Sequence, residues 1–157
     1  MQTEKRWITA QLLFSAISEE LASHRRASST VTGMSMWPFL CHGRDQVILE
    51  EYIPGTLRKG DVVLLQTPLG NYLLHRVTRV LPDGFETTGD GNCFRDGRFP
   101  FCCIRARASA FVRKGKTIDC RSAAWRALFA VWMALFPVRR PLFLLWGHLR
   151  PYIRHVR

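Results

Sequence analysis

Three patterns of apolar and polar positions succeed one another along the chain. Between residues 3 and 23 apolar side chains recur at helical spacing: Leu13, Ile17 and Leu21 stand four apart, and Leu12, Phe14 and Ala16 widen the stripe. This predicts an amphipathic helix, and the polar stretch 23–30, with Arg25, Arg26, Ser28 and Ser29, predicts a linker after it. From Val31 onward the signal changes to short runs rich in β-branched residues, at 46–50, 61–66, 72–80, 85–88 and 104–112. Turn chemistry separates them, as in Pro68-Leu69-Gly70-Asn71 and Pro82-Asp83-Gly84, so hairpins of a mainly antiparallel β domain are expected. After Asp119 the pattern becomes helical again over 123–136 and 142–149, split by the basic break Pro137-Val138-Arg139-Arg140-Pro141. The expected organisation is an N-terminal helix and linker over 1–30, a β domain over 31–119, and a basic, apolar helical tail over 120–157.

Composition narrows the function classes. Apolar residues make up 47% of the 157, enough for a packed interior with apolar surface to spare, which excludes global disorder. The net charge of +11 is confined to the last third: residues 97–157 hold thirteen Lys/Arg against Asp119 alone, whereas residues 1–96 hold ten against eleven acids. Such a block attracts polyanions. Its neighbours Trp125, Leu128, Phe129, Val131, Trp132, Leu135 and Phe136 are strongly apolar, which favours an anionic membrane surface over nucleic acid as the partner of residues 123–157. The competing reading packs these helices on the β domain or on a protein partner. No uninterrupted run of ~20 apolar residues occurs, so no membrane-spanning helix is expected. The apolar run after Lys5 and Arg6 is diluted by Thr9, Gln11 and Ser15, so it reads as helix rather than as a cleaved signal. Five cysteines, with no CxxC pair and no zinc-like histidine spacing, predict neither a disulfide framework nor a metal or cofactor site. Unpaired thiols suit a reducing compartment, which favours the cytoplasmic face. Nothing in the sequence bears on oligomeric state.

The chemistry concentrates at Thr32-Gly33-Met34-Ser35-Met36-Trp37-Pro38. A serine between two methionines is unusual for a solvated loop. Gly33 allows close backbone approach or a dihedral that other residues avoid, and Pro38 biases Trp37 toward extended backbone. A serine hydroxyl is a weak nucleophile at neutral pH and needs a base within hydrogen-bond reach. In the run 72–80, strand alternation puts His75 on one face with Leu73 and Val77, and Arg76 and Thr78 on the other. Imidazole can accept the proton and later return it to a departing amine. The carboxylates Asp90, in Gly89-Asp90-Gly91-Asn92, and Asp96 follow. Asp90 serves a tight turn or the catalysis equally well.

Gly33-x-Ser35-Met36-x-Pro38, then Gly60-Asp61-Val62-Val63, then Leu74-His75-Arg76-Val77, then Gly89-Asp90-x-Asn92 with Asp96 resembles the boxes of the signal peptidase I superfamily, over about residues 31–116. Bacterial members place a lysine where this chain has His75, so the resemblance is to the archaeal and endoplasmic reticulum type. That resemblance implies a signal-peptidase-like β domain and a serine endopeptidase that removes a leader or signal peptide from a precursor polypeptide. It also implies Ser35 as nucleophile, His75 as base, and Asp96 as the carboxylate behind the imidazole, with Asp90 as second candidate. The oxyanion would be bound by the Ser35 N–H with Gly33 leaving room, and Gly33, Met34 and Met36 would flank an extended substrate. Members usually carry a membrane-spanning anchor, from which this chain departs. Two rivals stand beside it. A self-cleaving repressor of the SOS type resembles a Ser-Lys pair with a DNA-binding domain, and neither is present. A non-enzymatic basic module for membranes or nucleic acid would leave the serine loop purely structural.

Overall fold

The computed structural model describes residues 2–154, with side chains from residue 12 to residue 146. The chain runs α1 (Gln2–Ala22), β1 (Ala27–Thr30), β2 (Gln46–Glu50), β3 (Val62–Gln66), β4 (Tyr72–Leu81), β5 (Gly84–Thr88), β6 (Gly97–Phe99), β7 (Ile104–Arg113), β8 (Lys116–Asp119), α2 (Ala123–Ala134) and α3 (Arg139–Arg154). The fold is mainly antiparallel β, with a helix at the N-terminus and two at the C-terminus. The strands form one sheet in the order β1-β2-β7-β3-β4-β5-β6, and β8 pairs with β7.

The sheet is covered on both faces, and strand alternation distributes its side chains between two cores. Val62 and Leu64 of β3 join Leu49, Met36, Leu40 and Phe111 on one side, where Ile17 and Leu21 of α1 and Phe129 of α2 close the layer. Val63 and Leu65 join Val77, Phe85, Phe99 and Ile104 on the other. Burial on both sides is why 62–65 reads as an unbroken apolar run. In α1 the packed stripe is Phe14, Ile17 and Leu21, whereas Leu12 is 65% exposed, so the helix buries a narrower face than its sequence suggests.

Two expectations are corrected. The stretch expected as a linker over 23–30 contains β1, which pairs Ala27 to Thr30 against Leu49 to Gln46. An edge strand exposed to water needs no apolar run, so its sequence gives no strand signal. The basic break before the last helix is instead its start: a 3₁₀ turn at Phe136–Val138 leads into α3 at Arg139, and Pro141 sits in the first turn. Proline is tolerated there because the first N–H groups of a helix have no intrahelical acceptor. The strands β6 and β8, three and four residues long, also escape sequence patterning.

No single helix among the described residues is long and apolar enough to span a membrane. The pair Ala123–Ala134 and Phe136–Trp146 meets that length and composition only together, with a bend of 56° between its parts.

Candidate active site

The serine lies in a long excursion between β1 and β2. Val31 N–H donates to the Asp45 carbonyl at 2.9 Å, and Gly43 N–H donates to the Val31 carbonyl at 2.9 Å, closing the base of this loop. The fully buried Asp45 carboxylate accepts the Cys41 N–H and is paired with Arg44 at 2.7 Å. The hydrogen bond from Arg44 holds the Asp45 carboxyl below its ordinary range, with the Cys41 amide adding to it against the effect of burial. Because folding lowers this pKa, the stabilisation is complete above the ~4 of an unfolded carboxyl and is lost as pH falls through the folded value. Asp45→Asn is therefore expected to lower the urea midpoint at about pH 7, and the gap to wild type should narrow progressively as pH falls below the ~4 of an unfolded carboxyl. An unchanging gap would remove Asp45 as the acid-sensitive latch of the loop.

Within the loop Gly33 adopts φ +81°, with open space where a Cβ would project, so backbone conformation rather than crowding requires glycine. Its N–H donates to His42 Nδ1 at 3.0 Å. Sequence reasoning gave His42 no context, and only the return of the loop on itself reveals this role. Ser35 is half-buried and Met34 is 59% exposed. Met36 turns into the core at 2% exposure, so of the two methionines only Met34 is presented to solvent. The Ser35 N–H has no acceptor among the described residues and remains available to an oxyanion, whereas its carbonyl accepts the Gly91 N–H at 2.7 Å.

That bond begins a clamp. A Cβ at Gly89 would lie 2.5 Å from the Ser35 carbonyl oxygen, and one at Gly91 would lie 2.8 Å from that of Met34 and 3.0 Å from that of Trp37. Both glycines of Gly-Asp-Gly are therefore required by close approach to the serine loop. Gly91→Ala is expected to displace the serine loop and to destabilise the fold by about 1–3 kcal/mol. An unchanged urea midpoint in this variant would refute the clamp.

His75 and Asp96 meet at the other end of the same segment. His75 Nδ1 and Asp96 Oδ2 are 2.5 Å apart, with both side chains almost wholly buried. Thr87 Oγ1 donates to the same carboxylate oxygen at 2.8 Å, and the Asp96 N–H donates to the Thr87 carbonyl, so β5 holds the acid in place. A carboxylate facing Nδ1 places a proton there, which leaves Nε2 as the basic nitrogen. Ser35 and His75 line one cavity of about 260 Å³, together with Leu13, Phe14 and Ile17 of α1, Thr30 and Tyr72. Among the described residues no hydrogen bond joins the hydroxyl to the imidazole. Contacts of this kind commonly tighten only when substrate binds.

Asp90 is turned elsewhere. Its carboxylate receives Arg76 Nε at 2.8 Å and Nη2 at 2.6 Å, both side chains being buried to within 1%. Arg76 also donates to the Gly60 carbonyl and lies 3.8 Å from the centroid of the Phe129 ring. Alternation places Arg76 with Thr78 on the face away from the apolar neighbours of His75, and only the packing of Phe129 of α2 against that face reveals it as buried. The tail helices reach the same loop. Trp132 Nε1 donates to the Asp90 carbonyl at 3.0 Å, and Arg139, 1% exposed, donates to the carbonyls of Gly89, Asn92 and Trp132. Burial lowers the Arg139 pKa, and the nearby Asp90 carboxylate opposes that shift.

Of the five cysteines, Cys103 and Cys120 are disfavoured as nucleophiles by burial. All five are free thiols, and burial raises the pKa of Cys103 and pushes that of Cys120 up to about 12, which disfavours the thiolate. Among the described residues no cluster of His, Cys, Asp and Glu has the arrangement of a metal site.

Comparison with models of protein families, with curated proteins and with solved structures finds no match to this chain. The fold and the site by themselves define a mainly antiparallel β protein whose serine loop is clamped by a Gly-Asp-Gly turn beside a buried His-Asp pair.

Proposed function

We propose that this protein is a serine endopeptidase of the signal peptidase I type, cleaving a leader or signal peptide from a precursor polypeptide at a membrane surface. The observation that carries the reading is the His75–Asp96 pair on the cavity that Ser35 also lines. Substrate would add as an extended strand. β5 pairs with β4 only from Arg76 to Leu81, so residues 72–75 keep one strand edge open among the described strands.

In the reaction Ser35 Oγ attacks the scissile carbonyl carbon as its proton passes to His75 Nε2. Asp96 stabilises the imidazolium, and the Ser35 N–H receives the developing oxyanion. Collapse breaks the C–N bond, and the imidazolium proton goes to the departing amine. Water, deprotonated by the same nitrogen, then hydrolyses the acyl-serine and restores the hydroxyl. Of the residues expected to flank the substrate, Met36 lines the cavity beside Ser35, and Met34 stands at the solvent side of the loop that Gly33 begins. The basic, apolar tail over 123–157 is assigned to an anionic membrane surface, and the free thiols favour its cytoplasmic side. Side chains from residue 147 on, which include the last basic residues of the tail, lie outside the described ones.

The test compares precursor sizes in cells carrying wild type, Ser35→Ala and His75→Ala at equal abundance. Uncleaved precursor should accumulate in both variants. The same processing in all three would defeat the assignment.

A further inference from the structure

The two C-terminal helices bury one side and leave the other apolar. Phe129 and Trp132 pack inward against Phe39, and Phe143 packs on Trp37. On the opposite side Leu128, Val131, Leu135, Val138, Leu142 and Leu145 follow one another at three- and four-residue spacing and are 37–58% exposed. This stripe crosses the bend between α2 and α3 without a charge among its members.

Beside it lies a cleft of about 700 Å³ in the β domain, lined by Arg58, Lys59, Arg79 and Arg95 against the single acid Glu86. Glu86 stands 3.5 Å from Arg95, and among the described residues Arg58, Lys59 and Arg79 form no ion pair. The cleft adjoins the helices at two points. The Arg95 guanidinium lies 5.6 Å from the centroid of the Phe136 ring at the bend. Lys59 also lines a second cleft with Ala127, Ala130 and Met133 of α2.

We infer that the cleft and the stripe together form one surface for an anionic phospholipid bilayer, with lipid phosphates drawn to Arg58, Lys59 and Arg79 and the stripe seated at the acyl boundary. This deepens the proposed function and rests on its placement at a membrane. Four cations held close together repel one another in water and gain most from an anionic layer. Nucleic acid would satisfy the cations but leave six aliphatic side chains against phosphates. A second copy would cover the stripe but bring an identical cation cluster with it. The surface also adjoins the site, because Trp37, two residues after Ser35, packs on Phe143 and Trp146.

The experiment is co-sedimentation of the full chain with vesicles of phosphatidylcholine alone or containing about 30% phosphatidylglycerol. Wild type should favour the anionic vesicles, and Ser35→Ala should bind as wild type does, which separates this result from the fate of the peptidase assignment. The triple variant R58Q/K59Q/R79Q should bind anionic vesicles on the order of 100-fold more weakly, at roughly fivefold per charge. R58K/R79K should bind normally, and V131N/L142N should weaken binding while retaining the anionic preference. Any of four results overturns the inference: equal binding to neutral and anionic vesicles, an unaffected triple variant, duplex DNA bound more tightly than vesicles through the same cations, or a dimer that V131N/L142N dissociates.

Discussion

Ser35→Ala is expected to reduce precursor cleavage by on the order of 10⁴- to 10⁶-fold, His75→Ala by a similar factor, and the double variant by little more than either alone. Groups acting on one proton transfer are not additive, since removing either leaves the other without a task. Asp96→Asn should lose on the order of 10⁴-fold, because an amide facing Nδ1 can present its N–H there and turn the basic nitrogen away from the serine. The folded state should barely notice Ser35→Ala, with a change within about 0.5 kcal/mol, since the hydroxyl is half-buried and its removal opens no sealed cavity. Single-turnover rates on a purified precursor, together with urea midpoints, check all of this. Fully additive losses, or an Asp96→Asn enzyme at wild-type rate, would break the proposed relay.

Asp90→Ala is expected to destabilise the protein by about 3–5 kcal/mol, among the largest effects available to a single substitution in this fold. The variant leaves the Arg76 guanidinium without its carboxylate between Phe39 and Phe129, where water cannot replace it. Arg76→Ala should be damaging in the same way, stranding Asp90. Replacing both, as Arg76→Met with Asp90→Leu, should be far milder than the sum, since a buried pair can be exchanged for apolar packing with little net change. Equilibrium urea unfolding of the two single variants and the double closes the cycle. Additivity would mean that the two side chains do not act as a pair. Asp90 is thus a structural strut in this arrangement, and its effect on cleavage would pass through the position of Gly91 against the Ser35 carbonyl.

The tail gains a second meaning from the same contacts. Trp132 and Arg139 hold the carbonyls of residues 89, 90 and 92, so the helices that carry the exposed apolar stripe also buttress the turn that clamps the serine loop.

Local pattern was enough for the parts of this protein whose physics is local. Runs rich in β-branched residues, bounded by turn chemistry, placed β2, β3, β4, β5 and β7 within about a residue of their observed bounds, because strand preference and turn signals are set by near neighbours in the chain. Helical spacing placed α1 and α2 for the equivalent reason. Strand alternation put His75 and Arg76 on opposite faces of one strand, before either had a partner. What tertiary structure alone decided was which partner each would have. Asp90 and Asp96 stand six residues apart in one loop and are equivalent as a string of letters, yet the turn at 89–92 delivers one to Arg76 and the other to His75. Strand β1, the His42 bond to Gly33, and Arg139 beneath the Gly-Asp-Gly turn left no mark in the sequence for a like reason. Their stabilisation comes from groups distant in the chain, and a hydrogen bond or ion pair reaching across the fold imposes no periodicity on the residues that make it.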